Sequence, residues 1–283
     1  MTGQLERVLV CSPQAAGWNG EQRNRWRELG FLHAPNFEVA QSQHDGFCQQ
    51  LQAAGADVVQ LRSSPDFSLD AVYTHDASLA TDFGLILMHP GKTNRVAEAP
   101  RHGEFGQGLG IPVFGEVKPP ATTEAGDIVW LDAQTLLIGD GYRTNPEGIA
   151  QMRAMLAPKG VEVLPAPLPH GGGPAVCLHL MSLMSLLDDE TVLVDLPWLA
   201  VETVRLLRAR GFRMIEIDAS ERATLACNVL ALGRRRLLAL EANRKTNERL
   251  RGEGFEVRTF AGSELCVNGG GGPTCLTRPL LRA

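Results

Sequence analysis

Short apolar runs recur along the chain, each followed by a polar turn. Leu85-Ile86-Leu87-Met88 leads to Lys92-Thr93-Asn94, Leu136-Leu137-Ile138-Gly139 to Arg143-Thr144-Asn145, and Leu237-Leu238-Ala239-Leu240 to Lys245-Thr246-Asn247. Apolar runs of this length bounded by turn residues read as buried strands. Thr and Asn side chains accept hydrogen bonds from the unpaired N–H groups that open a helix, so each turn reads as a capped helix start. After the second turn, residues 147–156 read as a helix, and Val161-Glu162-Val163-Leu164 follows Gly160 as a strand. After the third, Glu248-Arg249-Leu250 leads through Gly252 and Gly254 to Phe255-Glu256-Val257. A further unit, without the Thr-Asn turn, runs from Thr191-Val192-Leu193-Val194 through a helix over 200–210 to Met214-Ile215-Glu216-Ile217.

The repeating unit is therefore strand, helix, strand. Alternating strands and helices predict an α/β protein, and recurrence every 40 to 60 residues or so favours radial or stacked modules over a doubly wound sheet. Gly103 to Gly110 and Gly171-Gly172-Gly173 are glycine-rich, but neither follows a strand and opens a helix in the order of a dinucleotide fingerprint. No low-complexity linker divides the chain, so residues 1–283 are expected to form one domain of repeats.

Composition narrows the class. With 44% hydrophobic and 21% charged residues over 283 positions, the chain can bury a full core. A net charge of -5 gives no general footprint for nucleic acid, and Arg234-Arg235-Arg236 reads as a solvated turn. There is no secretory leader pattern and no apolar stretch long enough to span a bilayer, so a cytoplasmic location is expected, with no membrane partner. The six cysteines lack framework spacing and are expected as free thiols, most of them buried.

One cysteine stands apart. Cys275 follows Gly269-Gly270-Gly271-Gly272-Pro273-Thr274, where the main chain can bend tightly and approach a ligand. A thiol is mostly protonated at neutral pH, so a nucleophilic role requires an acid-base partner and nearby charge. His179, in the apolar stretch Val176-Cys177-Leu178-His179-Leu180, is a candidate, although a histidine in such a run also suits a core position. Carboxylates cluster in Thr123-Glu124-Ala125-Gly126-Asp127 and in Asp70-Ala71-Val72-Tyr73-Thr74-His75-Asp76. Wedged between Gly126 and Ile128, Asp127 is expected to turn inward onto backbone N–H groups, leaving Glu124 for a ligand.

These motifs resemble those of the dimethylarginine dimethylaminohydrolases, within the wider guanidino-modifying superfamily. Gln43-His44-Asp45, residues 70–76, Glu124-Ala125-Gly126-Asp127, Arg143-Thr144-Asn145, His179-Leu180 and Gly272-Pro273-Thr274-Cys275-Leu276 occur in the family's order, almost end to end. The resemblance implies a five-bladed α/β propeller, the pentein fold, with the site in its central channel. It implies Cys275 as nucleophile, His179 as general acid and base, and Glu124 and Asp76 as acids gripping a guanidinium. Arg143 and Arg95 would clamp the substrate's α-carboxylate, Asp70 would meet its α-amino group, and residues 14–35, including Leu32, would form a lid. The implied reaction is C–N hydrolysis through a thiouronium intermediate with no metal or organic cofactor, and a homodimer is compatible with such propellers.

Two positions depart from the pattern. Met181 stands where arginine deiminases place an aspartate, which disfavours free arginine as substrate. His75 stands where the dimethylarginine enzymes usually carry an acid, and the missing charge admits another guanidino compound. An amidinotransferase and a non-catalytic propeller binding protein are the alternative readings. A zinc ion on Cys177, His179 and Cys275 is a further possibility, without the paired spacing of a structural zinc site.

Overall fold

The apolar runs become the middle strands of five small sheets in the computed structural model, which describes residues 1–174, 176 and 178–283. In chain order the strands are β1 (Leu5–Val10), β2 (Asp57–Gln60), β3 (Ser78–Thr81), β4 (Gly84–Leu87), β5 (Val113–Glu116), β6 (Ile128–Asp132), β7 (Thr135–Asp140) and β8 (Glu162–Pro167). There follow β9 (Met184–Leu186), β10 (Thr191–Val194), β11 (Arg213–Glu216), β12 (Leu230–Gly233), β13 (Arg236–Leu240), β14 (Glu256–Phe260) and β15 (Arg278–Arg282). The helices are α1 (Trp26–Leu29), α2 (Phe37–Ala53), α3 (Glu98–Gly108), α4 (Pro146–Leu156), α5 (Val201–Ala209) and α6 (Arg244–Gly252).

Each sheet repeats one plan. A middle strand pairs in parallel with an outer strand through a crossover helix, as β7 does with β8 through α4, and antiparallel with a short inner strand, as with β6. The sheets β15-β1-β2, β3-β4-β5, β6-β7-β8, β9-β10-β11 and β12-β13-β14 are the five blades of a pentein propeller. The expected strand-helix-strand unit was therefore short by one strand per blade.

Alternating side chains of a strand face opposite sides, and in this fold both sides are core. Leu136 and Ile138 of β7 pack with Ile86, Ile149 and Met152, whereas Leu137 packs with Met184, Val192 and Leu207. Val192 and Val194 of β10 join that second cluster, and Leu193 joins the next with Leu237 and Leu250. Each core thus bridges two neighbouring blades, which is why the middle strands are built on apolar runs, with β1 departing at Glu6 and Arg7.

The Thr-Asn turns behave less uniformly than predicted. Asn145 caps α4, accepting from the Gly148 N–H at 2.8 Å. Lys245-Thr246-Asn247 instead lies inside α6, whose N-cap is Asn243, and residues 93–95 form a single 3-10 turn. The helix starts are also held from the neighbouring blade. Lys92 N donates to Glu124 Oε1, and Lys245 N and Thr246 N donate to the two oxygens of Glu221. Arg234 and Arg235 form the β12–β13 hairpin turn with positive φ, Arg235 pairing with Asp188.

Candidate active site

The candidate residues sit just before the inner strands of the five blades. Asp76 precedes β3, Glu124 and Asp127 precede β6, His179 precedes β9, Asn228 precedes β12 and Cys275 precedes β15, recurring about every 50 residues. A ring of hydrogen bonds ties these segments blade to blade. His75 N donates to Cys275 O (3.1 Å), Ala125 N to Asp76 O (3.1 Å) and Leu180 N to Asp127 Oδ1 (2.9 Å). Val229 N donates to Ser185 Oγ (3.3 Å), and Thr274 N closes the ring on Asn228 Oδ1 (2.9 Å).

Within the ring, His179 donates from Nε2 to Glu124 Oε2 at 2.7 Å, and its Nδ1 lies 3.9 Å from Asp76 Oδ1. Burial works against the charge of Asp76, but His179 and Arg95 outweigh it and hold the carboxyl well below the usual range. Burial likewise opposes ionisation of Glu124, and the hydrogen bond and charge of His179 reverse the effect, leaving its pKa lowered. Both acids are thus buried carboxylates, poised for a cation. Asp127 turns inward as expected, accepting from Leu180 N and, at 2.7 Å, from Thr144 Oγ1. Gly126 forms the floor. Its N–H donates to Asp76 Oδ1, and a β-carbon there would lie 2.5 Å from His179 Nδ1.

The glycine run before Cys275 has the geometric job that its composition suggested. Gly270 takes φ +81°, while a β-carbon on Gly269 or Gly271 would collide with Tyr73 and one on Gly272 with Asn228. Tyr73 is itself fixed, its hydroxyl donating to Leu265 O in the single π-helical turn Ser263–Val267. Cys275 is partly exposed, and Asn228 Nδ2 donates to its sulfur at 3.1 Å. Asn228 was absent from the sequence reading; its signal was its position before β12, matching that of His179 before β9.

The remaining expected residues fall in varied places. Arg143 is buried, its Nη1 3.6 Å from Glu124 Oε1. Asp70 pairs with Lys92 Nζ at 2.6 Å and accepts from Asn94, while Lys92 also reaches Leu29 O in α1. Leu32 is 69% exposed. The segment 14–35 is anchored beneath it, since Trp18 is fully buried and donates to Leu69 O. Two placements correct the expectation. Arg95 is turned away from a clamping role: Nε and Nη2 pair with Glu98, Nη2 also with Tyr73 O, and Nη1 lies 2.5 Å from Asp76 Oδ2. His75 turns out of the site, its Nδ1 bonded to Thr277 O at 2.8 Å and its ring lining a cavity whose walls include none of Asp76, Glu124, His179 and Cys275.

Comparison with known proteins settles the lineage. A family model described as N,N dimethylarginine dimethylhydrolase, eukaryotic, matches residues 13–282. The chain belongs to the dimethylarginine dimethylaminohydrolase family. It is 29% identical over 244 residues to the N(G),N(G)-dimethylarginine dimethylaminohydrolase of Streptomyces coelicolor, covering 84% of this chain and 85% of that one. Identity to the enzyme of the same name from Pseudomonas aeruginosa is 28% over 240 residues, covering 85% and 88%. A solved structure of the Pseudomonas aeruginosa enzyme, a cysteine-to-serine mutant complexed with citrulline, superposes with a TM-score of 0.79 at 25% identity over 97% of this chain and 99% of that one. As a member of the dimethylarginine dimethylaminohydrolase family, the chain is a hydrolase acting on the C–N bonds of linear amidines.

Asp76, Glu124 and His179 each offer a ligand atom within 4.8 Å of the others, the one such group among the described residues. Of the zinc set considered above, Cys177 lies outside the described residues.

The buried titrating groups predict how this dimethylarginine dimethylaminohydrolase responds to acid. Burial lowers His44 to about 4 and His75 and His102 to about 3. The unfolded chain takes up these protons below about pH 6.5 and the folded chain refuses them, so this stability is lost as pH falls. Asp127 and Glu98, raised by burial to about 6 and about 7, act oppositely. Between pH 6.5 and 4 the three histidines, all held at about 4 or below, outweigh these two acids. The urea midpoint is expected to decline steadily from pH 6.5 to 4, and a flat midpoint over that window would show the histidines to be accessible.

Proposed function

We propose that this enzyme hydrolyses N-methylated arginine to citrulline and an alkylamine, using Cys275 as nucleophile. The observation that carries the reading is the arrangement of Glu124, His179 and Asp76 at the start of successive inner strands, with Cys275 completing the ring. A guanidinium carbon is a poor electrophile until its charge is held and a nucleophile is aimed at it. Asp76 and Glu124 supply the charge, and Arg95 and Gly126 hold Asp76 in place. The Cys275 thiolate, oriented by Asn228, forms the C–S bond. The C–N bond to the alkylamine then breaks as His179 gives up a proton, leaving a thiouronium. His179 next takes a proton from water, the oxygen adds to the same carbon, and C–S cleavage returns the thiolate with the ureido product.

At the other end of the substrate, Arg143 pairs with the α-carboxylate and Asp70, beside Lys92, meets the α-amino group; Leu32 covers the entrance. A forked guanidinium suits a carboxylate. Free thiols at Cys11, Cys48, Cys227, Cys266 and Cys275 support a reducing, cytoplasmic setting. No helix among the described residues is long and apolar enough to cross a membrane.

The test is cysteine-dependent ureido-product formation across arginine, monomethyl- and asymmetric dimethylarginine, agmatine and guanidino acids. Citrulline from the methylated arginines is expected, and silence on them with turnover of another guanidine would move the substrate. Arg143→Ala is expected to raise KM for amino-acid substrates about 10- to 100-fold, in line with loss of a charged hydrogen bond, and to spare agmatine, which has no carboxylate. An equal loss on agmatine would assign Arg143 to the guanidinium subsite instead.

A further inference from the structure

The inner strands run from the catalytic end of the channel to hairpin tips at the other end, and there the tips frame a second cavity of about 960 Å³. We propose that this cavity binds a small organic carboxylate, with Arg278 as the group that receives it.

Arg278 opens β15 and is buried, yet it makes no ion pair among the described residues. Its Nη2 donates to His75 O at 2.5 Å, and its Nε has no hydrogen-bond partner among the described residues. Fully buried arginines are rare without a counter-charge, because desolvation of the cation must be repaid by a paired anion. Within this molecule the contrast is sharp: Arg95, equally buried, meets two carboxylates. Burial is also the leading influence on Arg278, opposed by Asp76 alone among the carboxylates named against it.

The acids around the cavity do not supply the missing charge. Asp82, Asp132 and Asp189 lie exposed at the hairpin tips, with Asp132 paired to Arg210 and Asp189 contacted by Thr2. His75 is buried and neutral, and Arg282 donates to Gly3 O. The cavity therefore has a cationic wall set deep and a thin acidic rim. Its volume is that of a small-molecule site, and Leu79, Met181, Leu186 and Leu230 line it with apolar surface. One planar guanidinium fork among apolar side chains matches a monocarboxylate with an apolar body better than a multiply charged phosphate, which would require more donors.

Calorimetric titration of the full chain with hexanoate, hexylamine and inorganic phosphate tests the assignment. Hexanoate is expected to bind saturably and hexylamine not at all. Arg278→Gln is expected to weaken hexanoate at least about tenfold, as for loss of a charge-assisted pair. Ala80→Trp, which fills the cavity from β3 and leaves Arg278 in place, is expected to do the same and decides the matter if the first variant does not fold. Arg143→Ala is expected to leave hexanoate affinity unchanged. No saturable binding, binding lost in Arg143→Ala but kept in Arg278→Gln, or phosphate binding as tightly as hexanoate would each overturn the proposal.

Discussion

Cys275→Ser is expected to reduce turnover of the methylated arginine substrate by at least about 1,000-fold while leaving the fold and substrate affinity intact. The serine fits the same loop, since the glycines that shape it and the Asn228 amide that touches the sulfur are unchanged. The reactivity does not carry over. A serine hydroxyl, far less acidic than a thiol, stays protonated at neutral pH, and the reaction needs an anion to attack a resonance-stabilised cation. Glu124 and Asp76 remain to hold the guanidinium, so the variant should still bind. Rapid-quench and equilibrium binding measurements separate the two effects. Full turnover by the serine variant would remove Cys275 from the chemistry altogether.

Gly126→Ala is the second large effect, and it concerns a residue with no functional group. Its added methyl would meet His179 Nδ1 and lie 2.7 Å from Asp76 Oδ1. Neither neighbour can yield cheaply: His179 is fixed by Glu124 and by the Ser182 hydroxyl that accepts its backbone N–H, and Asp76 is fixed by Arg95. Displacing the acid-base group by an ångström typically costs about 100-fold in rate, and that loss should fall on kcat more than on KM. The pH profile should change with it, because the distance between His179 and its two acids is what the methyl alters. A kcat within threefold or so of the parent enzyme would mean that the ring relaxes around the methyl and that this geometry does not limit the reaction.

Much of this was legible in the residues, for physical reasons that also mark where legibility ends. The middle strands stood out because two cores demand apolar side chains on both faces, giving runs such as Leu136-Leu137-Ile138. The inner strands β3 and β9 did not. They span four and three residues, and β3 carries Ser78 and Thr81, so no run of four apolar residues announces it. Glu124, His179 and Cys275 were visible as unusual side chains in tight or apolar settings, and Asp127 as an acid hemmed in by small neighbours. Asn228 in Cys227-Asn228-Val229 looked like an ordinary polar residue, because its meaning lies in register with the other blades. Arg95 and His75 were misplaced for another reason. A position in the chain does not reveal where a long side chain ends, and adjacent side chains leave the backbone in different directions, so Asp76 faces the site while His75 lines the far cavity.

One blade is assembled from segments far apart in sequence: β15, which follows the Cys275 loop, pairs with β1. Contacts between segments so distant in sequence are the slowest to form, since the intervening chain must be closed first. The segments carrying Asp76, Glu124 and His179 precede strands paired with near neighbours in sequence, so the Cys275 loop is expected to be placed last. A partly folded molecule is then expected to hold the Asp76, Glu124 and His179 segments in place while the Cys275 loop still waits on the pairing of β15 with β1.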